Sequence, residues 1–179
     1  MNPDIESVLV TEEEIKIKVK EIGNRISADF SNLNPMFIGI LKGSFMFMSD
    51  LMRNVDISCS ADFMGVSSYG TGTTSTGAVS ITKDLQENIE NRNVILVEDI
   101  LDSGMTLNYL INILSVRNPA SISTATFLDK PSRRKKPIYA DYVGVEIPNV
   151  FVVGYGLDYA EKYRNLPYIG ILKPEIYAE

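Results

Sequence analysis

Residues 94–106 read Val94-Ile-Leu-Val-Glu98-Asp99-Ile-Leu-Asp102-Ser103-Gly104-Met105-Thr106. The apolar start of this stretch is typical of a strand buried on both faces of a parallel sheet. Acidic residues follow, and a turn of small residues then opens a helix predicted from Met105 to Val116. Because ligands of open α/β sheets bind outside the carboxyl ends of the strands, this turn predicts a binding site.

The turn has the features of a phosphate cradle. The amides from Ser103 to Thr106 have no acceptor within the predicted helix, and both end residues add a hydroxyl. Gly104 permits close approach of a ligand to the backbone. Glu98 and Asp99 would repel a phosphate unless they face sugar hydroxyls or a divalent cation, and a ribose 5-phosphate offers such a diol. An acidic capping turn is the alternative, but three carboxylates within five residues disfavour it.

Composition excludes several kinds of chemistry. Histidine is absent, which rules out Ser-His-Asp or Cys-His catalysis and leaves proton transfer to carboxylates, Lys or Tyr. The single cysteine, Cys59, allows neither an intrachain disulfide nor a cysteine zinc cluster and fits a reducing cytoplasm. The formal charge, 17 − 23 = −6, disfavours nucleic-acid binding. No signal peptide or membrane span is expected, and residues 1–179 fit one domain.

Strands and helices alternate along the chain, which predicts an α/β fold with an open, mostly parallel sheet. A capping box formed by Thr11 and Glu14 starts a helix that should end near Asn32. The other predicted elements are strands at Met36–Leu41, Ile57–Met64, Val79–Ile81, Asn93–Glu98, Ile122–Leu128, Tyr142–Ile147 and Phe151–Val153, and a helix at Phe45–Met52.

Two segments lie outside this pattern. Residues 67–77, Ser-Ser-Tyr-Gly-Thr-Gly-Thr-Thr-Ser-Thr-Gly, show no periodicity and are long for a connection in a compact domain. A mobile lid is the functional interpretation, and a hairpin tip without a role is the alternative. The basic stretch from Lys130 to Lys136 lacks aromatic residues, so a solvated loop is favoured over a nucleic-acid surface.

The sequence Val-Glu-Asp-Ile-Leu-Asp-Ser-Gly-Met-Thr resembles the phosphoribosyl pyrophosphate motif of type I phosphoribosyltransferases. The resemblance extends over residues 36–170 to the hypoxanthine-guanine phosphoribosyltransferases. Segments that carry it are Leu41-Lys42-Gly43-Ser44, Ser67-Ser68-Tyr69-Gly70, Lys130-Pro131, Val145-Glu-Ile-Pro148 and Phe151–Tyr159. One departure is Val145, where the family often has an aromatic. The implied fold is a mostly parallel central sheet flanked by helices, with a small hood and a flexible lid loop at about 67–77.

The resemblance implies an enzyme of purine salvage. Such an enzyme transfers the 5-phosphoribosyl group from phosphoribosyl pyrophosphate to hypoxanthine or guanine, giving IMP or GMP and pyrophosphate. It implies Mg²⁺ as cofactor, a cytoplasmic location and a homodimer or homotetramer. A non-catalytic regulator that senses phosphoribosyl pyrophosphate on the same fold is the alternative. A regulator could lose Asp102, Lys42 or Tyr69, whereas this chain has all three and no appended domain is expected.

The resemblance also implies residue roles. Asp102 would be the base that accepts the proton of the purine imidazole nitrogen. Residues implied to contact phosphoribosyl pyrophosphate are Lys42, Gly43, Ser68, Tyr69, Glu98, Asp99, Asp102, Ser103, Gly104, Met105, Thr106 and Arg164. Those implied for the purine are Lys130, Phe151, Val152 and Asp158, and those implied for the metal are Glu98, Asp99 and Asp158.

Two of the residues implied for the purine could instead have an ordinary structural role. Lys130 would donate to the 6-oxo group and so reject adenine. It could instead be a surface lysine of the basic stretch. Phe151 would stack on the purine, but periodicity alone favours a core phenylalanine, and only the resemblance reverses that preference. In the family the peptide between Leu41 and Lys42 can be cis.

Overall fold

A computed structural model describes residues 2–68 and 79–177. In chain order the elements are β1 (Ile5–Val10), α1 (Glu12–Asp29), β2 (Met36–Leu41), α2 (Phe45–Arg53), β3 (Ser60–Ser68), β4 (Val79–Lys83), β5 (Asn93–Leu101), α3 (Met105–Ser115), β6 (Ser121–Asp129), β7 (Tyr142–Glu146), β8 (Val152–Val153), β9 (Ile169–Leu172) and α4 (Pro174–Tyr177). None of the helices in these ranges has the length and apolarity needed to cross a membrane.

The larger sheet confirms the predicted α/β class. Its strand order is β4-β3-β2-β5-β6-β7, with all pairs parallel except the antiparallel edge pair β3–β4. The segment Val94–Val97 of β5 is fully buried because helices cover both faces. Phe37, Phe47 and Phe127 belong to the core on the face of α1 and α2, and Leu107, Leu110 and Leu114 of α3 fill the opposite face.

A second sheet forms the hood. It is antiparallel in the order β1-β9-β8, and Val152 pairs with Ile171. The predicted strand Phe151–Val153 therefore does not extend the main sheet, and only its last two residues are strand. Gly154 and Gly156 with positive φ end the strand directly after Val153. Strands β1 and β9 were not predicted at all.

Several boundaries also differ from the prediction, and β5 runs three residues past its predicted end, to Leu101. The capping box of α1 is present, but the helix ends at Asp29 with Phe30 as its C-cap, and the chain then turns through left-handed backbone angles at Asn32 and Asn34. Strand β3 begins at Ser60 rather than Ile57, and Ala61 is exposed whereas Asp62 is buried. The Asp62 carboxylate accepts from the Gln86 and Glu87 amides at 2.7 and 3.1 Å, so a satisfied polar residue occupies a core-facing position. Tyr69 and most of the predicted lid lie outside the described residues.

Candidate active site

The turn between β5 and α3 has the geometry expected of an anion cradle. Gly104 adopts φ 78°, and a Cβ there would lie 2.5 Å from Ile138 Cγ2, so a side chain does not fit. Within the described part of the chain, only the Met105 amide of this turn has an acceptor, Ser103 Oγ at 3.3 Å. The amides of Ser103, Gly104 and Thr106 remain available beside a cavity of about 210 Å³. The turn thus offers several free donors to one ligand.

The carbonyl groups of the same turn are held by the basic loop behind it. The Arg134 guanidinium donates to the Leu101 carbonyl at 2.9 Å and to the Asp102 carbonyl, and it pairs with Asp129. The amides of Lys135 and Lys136 donate to the Ser103 carbonyl at 2.9 and 3.2 Å. This loop is therefore not simply solvated. Arg134 stabilises the backbone of the cradle. The sequence did not distinguish it from Arg133 and Lys135, the basic residues on either side of it.

Three acidic residues line the cradle cavity, Glu98, Asp99 and Asp102, and burial raises the pKa of the first two. Glu98 is 8% exposed, and burial followed by repulsion from Asp99 raises its pKa to about 8. Burial also raises the pKa of Asp99 to about 6, against the lowering effect of the Ile100 amide, which lies 3.0 Å from Asp99 Oδ1. A protonated carboxyl both donates and accepts hydrogen bonds. The pair therefore suits hydroxyl groups and repels a nearby phosphate less than two full charges would.

The raised pKa of Glu98 predicts a pH dependence of stability. Its carboxyl titrates near 4.5 in the unfolded chain and near 8 in the folded one, so its favourable contribution is complete below pH 4.5 and is lost as the pH rises through 8. We expect the ligand-free Glu98→Gln variant to gain on the order of 3 kcal/mol over the parent between pH 4.5 and 8. Urea unfolding at both pH values measures this, with the exposed Glu87→Gln as control. Parallel pH profiles for parent and Glu98→Gln would contradict it.

A second cavity, of about 410 Å³, adjoins the first. Ile100 and Asp102 line both cavities, so Asp102 lies at their junction. Four other sequence-predicted residues line the second cavity, namely Lys130, Phe151, Val152 and Asp158. The structure therefore brings together, around one aspartate, the residues assigned separately to a phosphorylated sugar and to a flat base.

The structure fits neither a surface position for Lys130 nor a core position for Phe151. Lys130 is only 7% exposed, its Nζ donates to the Val150 carbonyl at 2.9 Å, and burial lowers its pKa. It is not a surface lysine. Phe151 is 37% exposed, so it is not a core residue either. Its ring lies at the cavity wall, where a planar ligand could stack on it.

Two further residues of this cavity were missed by the sequence analysis. Tyr177 stacks on Phe151 with ring centroids 4.7 Å apart and planes 22° apart. Arg133 Nε lies 3.2 Å from Asp102 Oδ1 and forms an ion pair with it. Tyr177 is in a four-residue helix with no pattern of its own, and Arg133 is one of several neighbouring basic residues, so no local signal marked either one.

The loop between β2 and α2 forms the third side of the site. The Leu41–Lys42 peptide is cis. A Cβ on Gly43 would lie 1.7 Å from Asp99 Oδ2, and one on Gly156 would lie 2.0 Å from the Gly43 carbonyl oxygen. The loop is thus packed tightly between the acidic pair and the segment after β8, which only glycine at both positions permits.

The charged side chains on this third side are paired with one another. Arg164 donates to the Gly156 carbonyl at 2.7 Å and lies 2.9 Å from Asp158 Oδ1. Lys42 Nζ lies 3.1 Å from Glu161 Oε1. Within the described ranges, Ser44 Oγ and Arg164 Nε are buried without a hydrogen-bond partner.

The acidic residues do not form a metal cage by themselves. Among residues 2–68 and 79–177, no cluster of three His, Cys, Asp or Glu side chains could hold a metal ion alone. Asp99 and Asp158 are close enough for the charge of Asp158 to raise the pKa of Asp99. This small number of protein ligands is compatible with a magnesium ion, because magnesium usually takes most of its ligands from substrate oxygens and water.

The chain is similar to known proteins over its whole length. A model of the phosphoribosyl transferase domain matches residues 8–160. The hypoxanthine-guanine phosphoribosyltransferase of Bacillus subtilis is 54% identical to this chain. The alignment covers 99% of this chain and 98% of that protein. The bifunctional protein TilS/HprT of Listeria innocua is 53% identical over the whole chain, which spans 28% of that longer protein.

Solved structures agree with the sequence comparison. The crystal structure of a hypoxanthine phosphoribosyltransferase from Staphylococcus aureus superposes with a TM-score of 0.94 at 53% identity, covering 98% of this chain and 96% of that one. A hypoxanthine phosphoribosyl transferase from Trypanosoma cruzi superposes with a TM-score of 0.93 at 45% identity, covering 99% and 96%. For the Trypanosoma cruzi protein, the C-terminal region has been studied for its role in the oligomeric state and the enzymatic activity.

Proposed function

Because the chain belongs to the phosphoribosyl transferase domain family, we propose that it transfers the 5-phosphoribosyl group of phosphoribosyl pyrophosphate to hypoxanthine or guanine. The products are IMP or GMP and pyrophosphate, as in purine salvage. The observation that carries the proposal is the position of Asp102 at the junction of the two cavities. One cavity offers free amides to a phosphate, and the other offers an aromatic ring and a buried lysine to a base.

The proposed reaction is a displacement at the anomeric carbon of the ribose. The bond from that carbon to the pyrophosphate oxygen breaks, and a bond to a ring nitrogen of the base forms. Asp102 takes the proton that the imidazole ring of the base gives up. Ser103, Gly104, Met105 and Thr106 hold the 5-phosphate, and Glu98 and Asp99 face the ribose hydroxyls.

The leaving pyrophosphate is received on the third side of the site. Lys42 and Arg164 supply positive charge there, and the Gly43 backbone lies beside them. Magnesium, when bound, would neutralise charge that builds on the departing pyrophosphate, with Asp158 and the acidic pair as nearby oxygen groups. Ser68 and Tyr69 would cover the site as part of a lid that excludes water.

The base is held in the second cavity. Lys130 Nζ can donate to the 6-oxo group, because its bond to the Val150 carbonyl at 2.9 Å uses only one of its three donors. The ring of Phe151 stacks on the base, and the backbone of Val152 meets its opposite edge. We further propose one catalytic domain for residues 1–179, a cytoplasmic location and a homodimer or homotetramer.

The test is direct. Purified protein is mixed with phosphoribosyl pyrophosphate, magnesium and hypoxanthine, and nucleotide formation is followed by absorbance and chromatography. We expect IMP in proportion to enzyme, and less product from adenine at equal concentration. Absence of turnover while phosphoribosyl pyrophosphate still binds would support the non-catalytic sensor instead. A comparison of hypoxanthine, guanine and xanthine in the same assay ranks the substrates.

A further inference from the structure

The two cations assigned to the pyrophosphate share one carboxylate of the chain itself. Glu161 Oε1 lies 3.1 Å from Lys42 Nζ, and Glu161 Oε2 lies 3.4 Å from an Arg164 guanidinium nitrogen. One oxygen therefore meets each cation, as two oxygens of a bound polyphosphate would. Lys42 and Glu161 are 119 residues apart in sequence, so the contact exists only because the fold brings the two loops together.

The backbone of Glu161 gives a second, independent observation. Tyr159 and Lys162 exchange two backbone hydrogen bonds, of 3.3 and 3.0 Å, and close a tight turn. The central residues Ala160 and Glu161 have φ of 50° and 62°. Two left-handed residues in this position define a turn that favours Asn and Gly. Turn propensity therefore does not account for a glutamate at this position.

We propose that Glu161 is an internal anion that competes with pyrophosphate for Lys42 and Arg164 and so weakens pyrophosphate binding. A bound pyrophosphate has to displace the carboxylate from both cations. The Glu161 and Lys42 side chains are 64% and 67% exposed. Because such a solvated ion pair is weak, a multiply charged anion can displace the carboxylate. Glu161 thus adjusts affinity without blocking the site, and it assists release of the pyrophosphate product. This inference rests on the proposed function, which makes pyrophosphate a product.

Charge and anchoring support this role. Hydrogen bonds from Lys42 and Arg164 lower the pKa of Glu161, so its carboxylate is charged at neutral pH. Arg164 has another partner, Asp158 at 2.9 Å, which keeps the guanidinium in place when Glu161 leaves. The Glu161 amide donates to Asp158 Oδ2 at 2.9 Å, so the turn stays anchored while the side chain moves.

The test measures binding of magnesium pyrophosphate by titration calorimetry, which requires no turnover. We expect Glu161→Gln to bind it roughly fivefold more tightly than the parent, with a parallel fall in KM for phosphoribosyl pyrophosphate. The gain should shrink as salt is added, because it arises between exposed charges. Glu175→Gln removes the same charge from an exposed position in α4 and should leave the affinity unchanged.

A second variant separates the proposed role from a structural one. Glu161→Gly removes the carboxylate and suits the left-handed turn, so it should tighten pyrophosphate as the glutamine does without lowering the melting temperature. Unchanged or weaker pyrophosphate binding by both variants, beside a parent that forms IMP, would overturn the inference. A parent that forms no IMP, but whose Glu161 variants still bind pyrophosphate more tightly, would overturn the proposed function and the role in product release, and would leave only the competition between Glu161 and pyrophosphate for the two cations.

Discussion

Asp102→Asn is expected to lower kcat by about 100-fold or more while phosphoribosyl pyrophosphate still binds, as for loss of a general base. Asparagine keeps the size of the side chain but cannot accept the proton that the base releases. No histidine can take over the role of base, because the sequence contains none. The backbone at this position is fixed from behind, where the Arg134 guanidinium donates to the Asp102 carbonyl, so the cradle should keep its shape.

Single-turnover experiments give the rate of the chemical step apart from product release, and calorimetry gives the affinity for the donor. Asp84→Asn is a suitable control because Asp84 pairs with Arg117 at 2.8 Å and does not line either cavity. An unchanged chemical rate in Asp102→Asn would remove the base role. A loss confined to donor affinity would instead make Asp102 a binding residue.

The parts of the fold that the sequence predicts are those whose signal is local. The run from Val94 to Val97 is apolar at every position, and it is followed at once by the small residues of the cradle, so strand, turn and helix are visible together. The hood is different. Strand β1 alternates poorly, with a run of exposed residues between Ile5 and Val10, and its partner β9 lies at the other end of the chain. Only tertiary pairing reveals it.

The same distinction applies to the candidate site. The sequence assigned Glu98, Asp99 and Asp102 to the candidate site because they come at the carboxyl end of a buried strand, although Glu98 and Asp99 still lie within β5. Phe151 was assigned to the site only through the family resemblance, since its periodicity favoured the core. The role of Arg134 could not be predicted from the sequence, because it depends on the carbonyl groups of Leu101 and Asp102, which lie far earlier in the chain. Local patterns identify which residues could carry chemistry, while the contacts that orient them are made between distant segments.

Lys130 is the other position at which a single change should have a large effect. Its side chain is buried, and its Nζ uses one of its three donors on the Val150 carbonyl, so donors are left for an acceptor oxygen of the proposed base. Hypoxanthine and guanine present a 6-oxo acceptor there, whereas adenine presents an amino donor that would leave buried groups unpaired. Such a mismatch supports strong discrimination.

We therefore expect Lys130→Ser to lower kcat/KM for hypoxanthine and guanine by about 100-fold and to change the low value for adenine much less. The ratio between the oxopurines and adenine should fall accordingly. Lys135→Ser changes an exposed lysine of the same loop and should keep the ratio. Competition assays with mixed bases measure it without depending on the amount of active protein. Equal losses for every base would show that Lys130→Ser damages the fold of the site, because only selective loss of the oxopurines follows from a missing donor at the 6-position.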